Sequence, residues 1–382
     1  MKELKPLPVG IQTFRDIIKG GYLYIDKTRY IYEMVKTPKG VYFLSRPRRF
    51  GKSLLISTLA EIFEANKELF KGLWIYGSDY KWEKHPVIKF DFSLMIADTK
   101  EELKGLLKKR IHSIARKNGI ELEDGIYTAM LGDLLERLIE KNGGRKVVVL
   151  IDEYDKPIID HIEDVDKAVE MREVLKAFYT VFKGMDEYIR FVLLTGVSKF
   201  SKAGVFSGLN NLEDITMVDR YAIMLGITQE EMEKYFEGYI EELGKVEGLS
   251  KEETLGKIRE WYNGYCFSRN CERVYNPFST LRLFKEKVFT NYWFESGTPS
   301  FLIKLMKEKE FDVTEIPIEI NEIEFTVYEV EELDVLPLLF QTGYLTIVGY
   351  DKEHNRYRLD YPNKEVREAF NEVLLKSYTR ER

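Results

Sequence analysis

A glycine, a lysine and a serine in a row, Gly51-Lys52-Ser53, fall near the end of the stretch "SRPRRFGKSLL" (Ser45–Leu55). The trio ends the pattern G-x-x-x-x-G-K-[ST], in which successive backbone N–H groups opening onto a helix form a cradle for an anion. Lys52 would reach the outer phosphates of such an anion, and the Ser53 hydroxyl would take one position on a divalent ion. The pattern asks for a glycine five residues before Gly51, where this chain has Arg46 followed by Pro47. Proline fixes its own φ and pushes its neighbour toward extended geometry, so the loop must begin along another path. Taken alone, the trio fits a basic turn that caps a helix equally well.

A second group of residues changes the balance. "KVVVLIDEYD" (Lys146–Asp155) is an apolar run ending in acids. Asp152 stands where a carboxylate can hold magnesium, directly or through water. Glu153 stands where a carboxylate can orient and deprotonate an attacking water. Either acid alone could simply cap a strand, but both beside a phosphate pattern make a nucleotide site. Thr195, closing "IRFVLLTG", is placed to face a γ-phosphate or, more simply, to cap its strand. Arg48 and Arg49 inside the loop could neutralise phosphate charge or pair with acids such as Asp155. Arg220 is a further candidate for a phosphate-sensing arginine.

The elements that must position these groups are readable from pattern. "GVYFLS" (Gly40–Ser45) reads as a strand, and Leu54, Leu55, Thr58, Leu59 and Ile62 keep one face of the next helix apolar. "PVIKFDFS" (Pro86–Ser93) reads as a strand, and helices follow over Lys100–Lys117 and Ile126–Asn142. Lys146–Asp155 reads as a central strand of a parallel sheet. A helix over Val165–Lys183 and a buried strand over Ile189–Gly196 follow. This alternation predicts a parallel α/β sheet with right-handed crossovers over residues 1–225. Helical patterns then dominate a lid region, residues 226–300. Residues 301–382 mix helices with strand-like "YLTIVGY" and "YRLDY", compatible with a winged-helix-like α+β module. "WYNGYCF" offers aromatics that could stack on bases, although aromatics around a tight turn more often pack a small core. Asn210-Asn211 reads as a turn and helix cap.

Composition narrows the class. A net charge of −6 argues against a globally basic nucleic-acid binder, though local patches stay open. No run of about 18 apolar residues occurs, which excludes a membrane-spanning helix, and the start lacks a secretory signal pattern, which predicts a cytoplasmic protein. Cys266 and Cys271 are the two cysteines, expected as free thiols in that compartment, and the four histidines are scattered. No zinc-ligand spacing appears, so a metal would be held by oxygen, which points to Mg²⁺. Glutamine occurs only at Gln12, Gln229 and Gln341 beside abundant Lys and Glu, a bias of heat-adapted proteins.

The chain resembles the bacterial and archaeal AAA-ATPase-like proteins, relatives of the AAA+ and archaeal ATPases. The resemblance rests on "LPVGIQTF", "YIDKT", "SRPRRFGKSLL", "LIDEYDKPI", "TGVSKFSKAGVFSGLNNLEDIT", "WYNGYCF" and "LLFQTGYLTI". It implies an α/β P-loop NTPase fold with a parallel sheet and flanking helices, followed by a helical lid and a smaller α+β module. It implies ATP and Mg²⁺ as ligands, with phosphate contacts from Gly51, Lys52, Ser53 and the Leu54 backbone; Arg48, Arg49 and Phe50 of the same loop are counted with them as candidate nucleotide-binding residues. Ser53 and Asp152 would hold the metal, Glu153 would act as base and Thr195 as γ-phosphate sensor. "GYLYIDKT" (Gly21–Thr28) would close over the adenine, with Asp26 and Lys27 as candidates, or would form an edge strand and turn. Many such proteins carry a PD-(D/E)XK-type nuclease domain after the ATPase part. Residues 300–382 show no convincing Asp with Glu/Asp-x-Lys, so no nuclease activity is assigned to them. The expected partners are ATP and ADP, with nucleic acid or a nuclease effector as further candidates. The absence of an N-K-x-D string favours ATP over GTP. A nucleotide switch without turnover, or a nucleic-acid-binding regulator acting through residues beyond about 225, are the alternatives.

Overall fold

The computed structural model describes residues 4–200, 204–209, 211–270, 272–293, 300–326 and 329–379. Five parallel strands form the large sheet: β1 (Gly40–Ser45), β2 (Val87–Asp91), β3 (Val147–Asp152), β4 (Ile189–Gly196) and β5 (Glu213–Asp214), in the order β2-β3-β4-β1-β5. The strand inserted between the loop-bearing β1 and the acid-bearing β3 is therefore β4. The register aligns their carboxyl ends: Leu44 with Thr195, Leu194 with Ile151, and Asp152 with Asp91. One rim of the sheet thus gathers the loop, the acids and the threonine, where ligands of open α/β sheets bind.

The helices, in chain order, are α1 (Phe14–Lys19), α2 (Thr28–Val35), α3 (Lys52–Phe63), α4 (Lys100–Lys117), α5 (Tyr127–Lys141), α6 (Lys156–Ile159), α7 (Val165–Gly184), α8 (Gln229–Tyr235), α9 (Glu237–Glu247), α10 (Lys251–Tyr262), α11 (Pro277–Glu286), α12 (Ser300–Glu308), α13 (Glu322–Thr326), α14 (Val335–Thr342) and α15 (Lys364–Thr379). Successive strand residues point to opposite faces, so strands covered on both sides are apolar throughout. Val148 and Leu150 pack with Leu55, Leu59 and Phe63 of α3 on one face. Val149 and Ile151 pack with Leu107, Leu135 and Phe178 of α4, α5 and α7 on the other.

A second, antiparallel sheet in the order β6-β8-β7 is built from β6 (Ile318–Ile320), β7 (Thr346–Asp351) and β8 (Arg356–Asp360). The expected parallel sheet followed by helices and a helix-plus-hairpin module is the observed architecture. The C-terminal module does not hang on a linker: Leu338, Tyr344, Tyr357 and Phe370 belong to the same buried cluster as Phe50 and the sheet. The helices α8 to α11 hold a smaller core of their own around Met232, Phe236, Ile258 and Leu283.

"WYNGYCF" packs a core rather than offering rings for stacking on bases, since Tyr262, Tyr265, Cys266 and Phe267 are all buried. Gly264 is required by close approach: at φ 131°, an added Cβ would lie 1.8 Å from the Pro362 carbonyl oxygen. Cys266 is a buried thiol whose Sγ donates to Ser268 O at 3.1 Å. Cys271 and Asn210 lie outside the described residues. No helix among the described residues is long and apolar enough to cross a membrane.

Candidate nucleotide site

The loop is shaped by side chains that leave it. Arg46, 1% exposed, turns its guanidinium away from the cradle. Nη1 donates to Ser45 O at 2.8 Å and Thr216 O at 2.7 Å, Nη2 donates to Tyr221 O at 3.3 Å, and the group stacks 4.2 Å from the Phe267 ring centroid. With carbonyl dipoles and a ring face in place of an anion, burial lowers its pKa to about 9, which still leaves it charged near neutrality. Phe50 is buried edge-on against Tyr265 and Phe267, at 4.8 and 5.3 Å between centroids. Arg49 takes φ 65° and stacks its guanidinium 3.8 Å from the Phe278 centroid, and both it and Arg48 are exposed. What glycine does by conformational freedom in the usual loop is done here by anchors in the C-terminal half. Restoring the glycine should therefore not help. Arg46→Gly would strand Thr216 O, at about 1–3 kcal/mol, and should lower the urea midpoint rather than raise it.

Past these anchors the cradle is regular. Gly51 caps α3 at φ 90°, and the first intrahelical bond runs from Leu55 N to Gly51 O at 3.0 Å. The N–H groups of Gly51, Lys52, Ser53 and Leu54 therefore have no acceptor within the helix, and its positive end faces the rim. Lys52 is folded back, with Nζ donating to Arg46 O and Pro47 O at 2.9 Å each. Burial lowers its pKa to about 8, with Asp152, Asp155 and Glu153 pulling the other way.

Asp152 ends β3, and its Oδ1 accepts from Thr195 Oγ1 at 2.7 Å and from the Glu153 amide at 3.1 Å. Thr195 is fully buried and holds this acid in place. Glu153 sits at φ 52°, a conformation that costs a non-glycine residue on the order of 1–3 kcal/mol. Its carboxylate accepts no hydrogen bond among the described residues. Burial, and then the neighbouring charge of Asp152, raise its pKa.

Asp155 clasps the far side of the site. Its Oδ2 accepts from the amides of Val197 and Ser198 at 3.1 and 2.6 Å, so it is not the partner of the loop arginines. Gly196 leaves room for this clasp, because a Cβ there would lie 2.5 Å from the Tyr154 ring and 2.7 Å from Asp155 Oδ1. Asp91, paired in register with Asp152, adds a further carboxylate to the rim and caps Ser93. Sequence reasoning passed over Asp91, although it ends its strand as Asp152 does.

Beside Phe50, Gly51 and Leu54 a cavity of about 120 Å³ opens. Its walls are Leu23, Tyr24 and Ile25 from the N-terminal segment, Met224 to Ile227 after β5, and Phe236 and Leu281 from the lid. Lys27 also lines it, but the ammonium is held by Glu231 Oε2 at 2.6 Å and Ile223 O at 2.9 Å. Asp26 faces elsewhere: it accepts from Thr28 N and Oγ1 at 2.9 and 2.6 Å and from Trp74 N at 2.6 Å. Arg220 is exposed, 3.8 Å from Glu213 Oε1. The structure thus brings Gly51, Lys52, Ser53, Leu54, Asp152, Glu153 and Thr195 to one rim. It turns Arg46, Arg49 and the Phe50 side chain away, and commits Asp26 to a turn.

A phosphate cradle on β1, acids on β3 and a strand between them define an α/β P-loop NTPase fold. Residues 8–206 match a family described as AAA-ATPase-like, predicted AAA-ATPase. The chain is also 40% identical over 379 residues to a protein of Azotobacter chroococcum mcd 1 described as an uncharacterized protein in the vnfD 5' region, covering 98% of this chain and 70% of that protein. The chain belongs to the AAA-ATPase-like family.

Proposed function

We propose that the protein binds ATP with Mg²⁺ at this rim and hydrolyses it. The observation that carries this reading is the joining of the Gly51–Leu54 helix start with Asp152 and Glu153 across β4. The triphosphate would lie on the open amides, with Lys52 exchanging the Arg46 and Pro47 carbonyls for phosphate oxygens. The apolar cavity walled by Tyr24, Met224 and Phe236 would take the base. Ser53 and Asp152 supply the hydroxyl and carboxylate oxygens that suit Mg²⁺, and among the described residues no cluster of three or more His, Cys, Asp or Glu forms a cage of its own. Few protein ligands is what a magnesium shared with phosphates needs; the ion would neutralise charge developing on the phosphoryl oxygens. Glu153, with its raised pKa, would receive the proton of the attacking water.

The test is titration of purified protein with a fluorescent ATP analogue and Mg²⁺, beside phosphate release. Saturable binding should weaken by about 10–100-fold in Lys52→Ala, the worth of a charge-assisted contact, with circular dichroism unchanged. Equal binding by both proteins would sink the assignment.

A further inference from the structure

The C-terminal module meets the loop and the stretch after β4 at the end of α14 and the turn that follows it. Gly343 takes φ 92°, and a Cβ there would lie 2.9 and 3.0 Å from Cβ and Cγ of Pro47. The turn is thus pressed on the residue that opens the loop. Two positions earlier, Gln341 is 5% exposed and uses both ends of its amide. Its Oε1 accepts from Lys199 N at 2.7 Å and its Nε2 donates to Thr326 O at 2.8 Å.

Lys199 belongs to the stretch leaving β4. Its first amides, Val197 and Ser198, are held by Asp155, so residues 195–199 are pinned by the acid segment at one end and by Gln341 at the other. The Lys199 ammonium reaches Asp214 Oδ2 at 2.7 Å, and Asp214 pairs in register with Phe43 of β1. A cavity of about 20 Å³ between Arg46, Lys199 and Gln341 marks the point where the three segments meet.

Resting on the nucleotide-site reading above, we propose that Gln341 and Gly343 are positioning residues that tie docking of the C-terminal module to occupancy of the phosphate loop. Lys52 must leave Arg46 O and Pro47 O to reach a phosphate, and Pro47 is the residue that Gly343 abuts. Thr195 must stay on Asp152, and the stretch that follows it is held by Gln341. A nucleotide that resets the loop therefore acts on the turn, and a loosened turn acts on the loop, with equal coupling in both directions.

The experiment is hydrogen–deuterium exchange on the full chain with and without Mg²⁺ and ATP, for wild type, Gln341→Ala and Gly343→Ala. Without nucleotide, exchange over 46–55 and 195–200 should quicken in both variants. ATP affinity should fall by about 5–150-fold, the usual span of coupling between sites. In wild type, ATP should slow exchange over 335–346, a readout that needs no variant to fold. Unchanged exchange over 46–55 in folded variants, or quickened exchange with unchanged affinity, would overturn the proposal, as would a turn indifferent to ATP in a wild type that binds it. A wild type that binds no ATP removes the proposed function and the nucleotide half of this inference. The exchange of the variants then still decides whether the turn holds the loop.

Discussion

Replacing Glu153 by glutamine is expected to stop ATP turnover while leaving nucleotide bound. The amide keeps the shape of the carboxylate but cannot take a proton. General-base catalysis contributes typically about 10²–10⁴-fold, so phosphate release should fall by that order with affinity within a few-fold of wild type. Burial and Asp152 raise the Glu153 pKa, so wild-type turnover should decline as acidity protonates the base, and at a higher pH than for an exposed glutamate. A companion variant separates chemistry from architecture. Glu153→Gly should lose turnover equally yet melt higher, because glycine adopts φ 52° without strain. Turnover by Glu153→Gln at the wild-type rate would remove Glu153 as the base, whereas a wild type that binds nucleotide without releasing phosphate would be a nucleotide switch.

The second large effect lies far from the rim. Glu365, fully buried in the first turn of α15, raises its pKa from 4.5 to about 7, chiefly by burial. Its Oε1 accepts from Ser279 Oγ at 3.0 Å and from Trp293 N at 2.8 Å, both neutral donors, and Oε2 has no hydrogen-bond partner among the described residues. The folded protein therefore keeps this proton over a pH range in which the unfolded chain has released it. Stability from this group is complete below pH 4.5 and is lost as pH rises toward 7, by roughly 3 kcal/mol in all. Glu365→Gln stays neutral at every pH. Urea unfolding at pH 5 and pH 8 should show wild type losing stability relative to this variant at the higher pH, with the variant the more stable there. A pH-independent difference between the two proteins would refute the account. Because Ser279 and Trp293 belong to α11 and the chain just after it while Glu365 belongs to α15, the same titration should weaken the contact between those segments.

Much of this was legible in the sequence because it depends on local pattern. The strands over Gly40–Ser45 and Ile189–Gly196 and the helix over Lys100–Lys117 have the predicted bounds, since β-branched runs and apolar periodicity determine them. The gathering of Ser53, Asp152 and Glu153 at one rim was legible because a strand leading into a helix start and a strand-end acid are short motifs. What escaped depends on contacts distant in sequence. No local signal says that Arg46 lies on Phe267, that Asp155 holds the turn after Thr195, or that Gln341 holds Lys199. Asp26 was a candidate because the resemblance places its segment over the adenine, and only contacts such as the Trp74 amide show where its carboxylate goes. The partner of Thr195 was likewise not legible: its hydroxyl donates to Asp152, 43 residues away in sequence.

Arg46 also makes the mouth of the loop a long-range object. Thr216 O and Tyr221 O, which hold its guanidinium, lie 170 and 175 residues further along the chain, and the Phe267 ring it stacks on lies further still. The short string "SRPRRFGKSLL" carries the motif, while the shape of its opening belongs to the chain through residue 267.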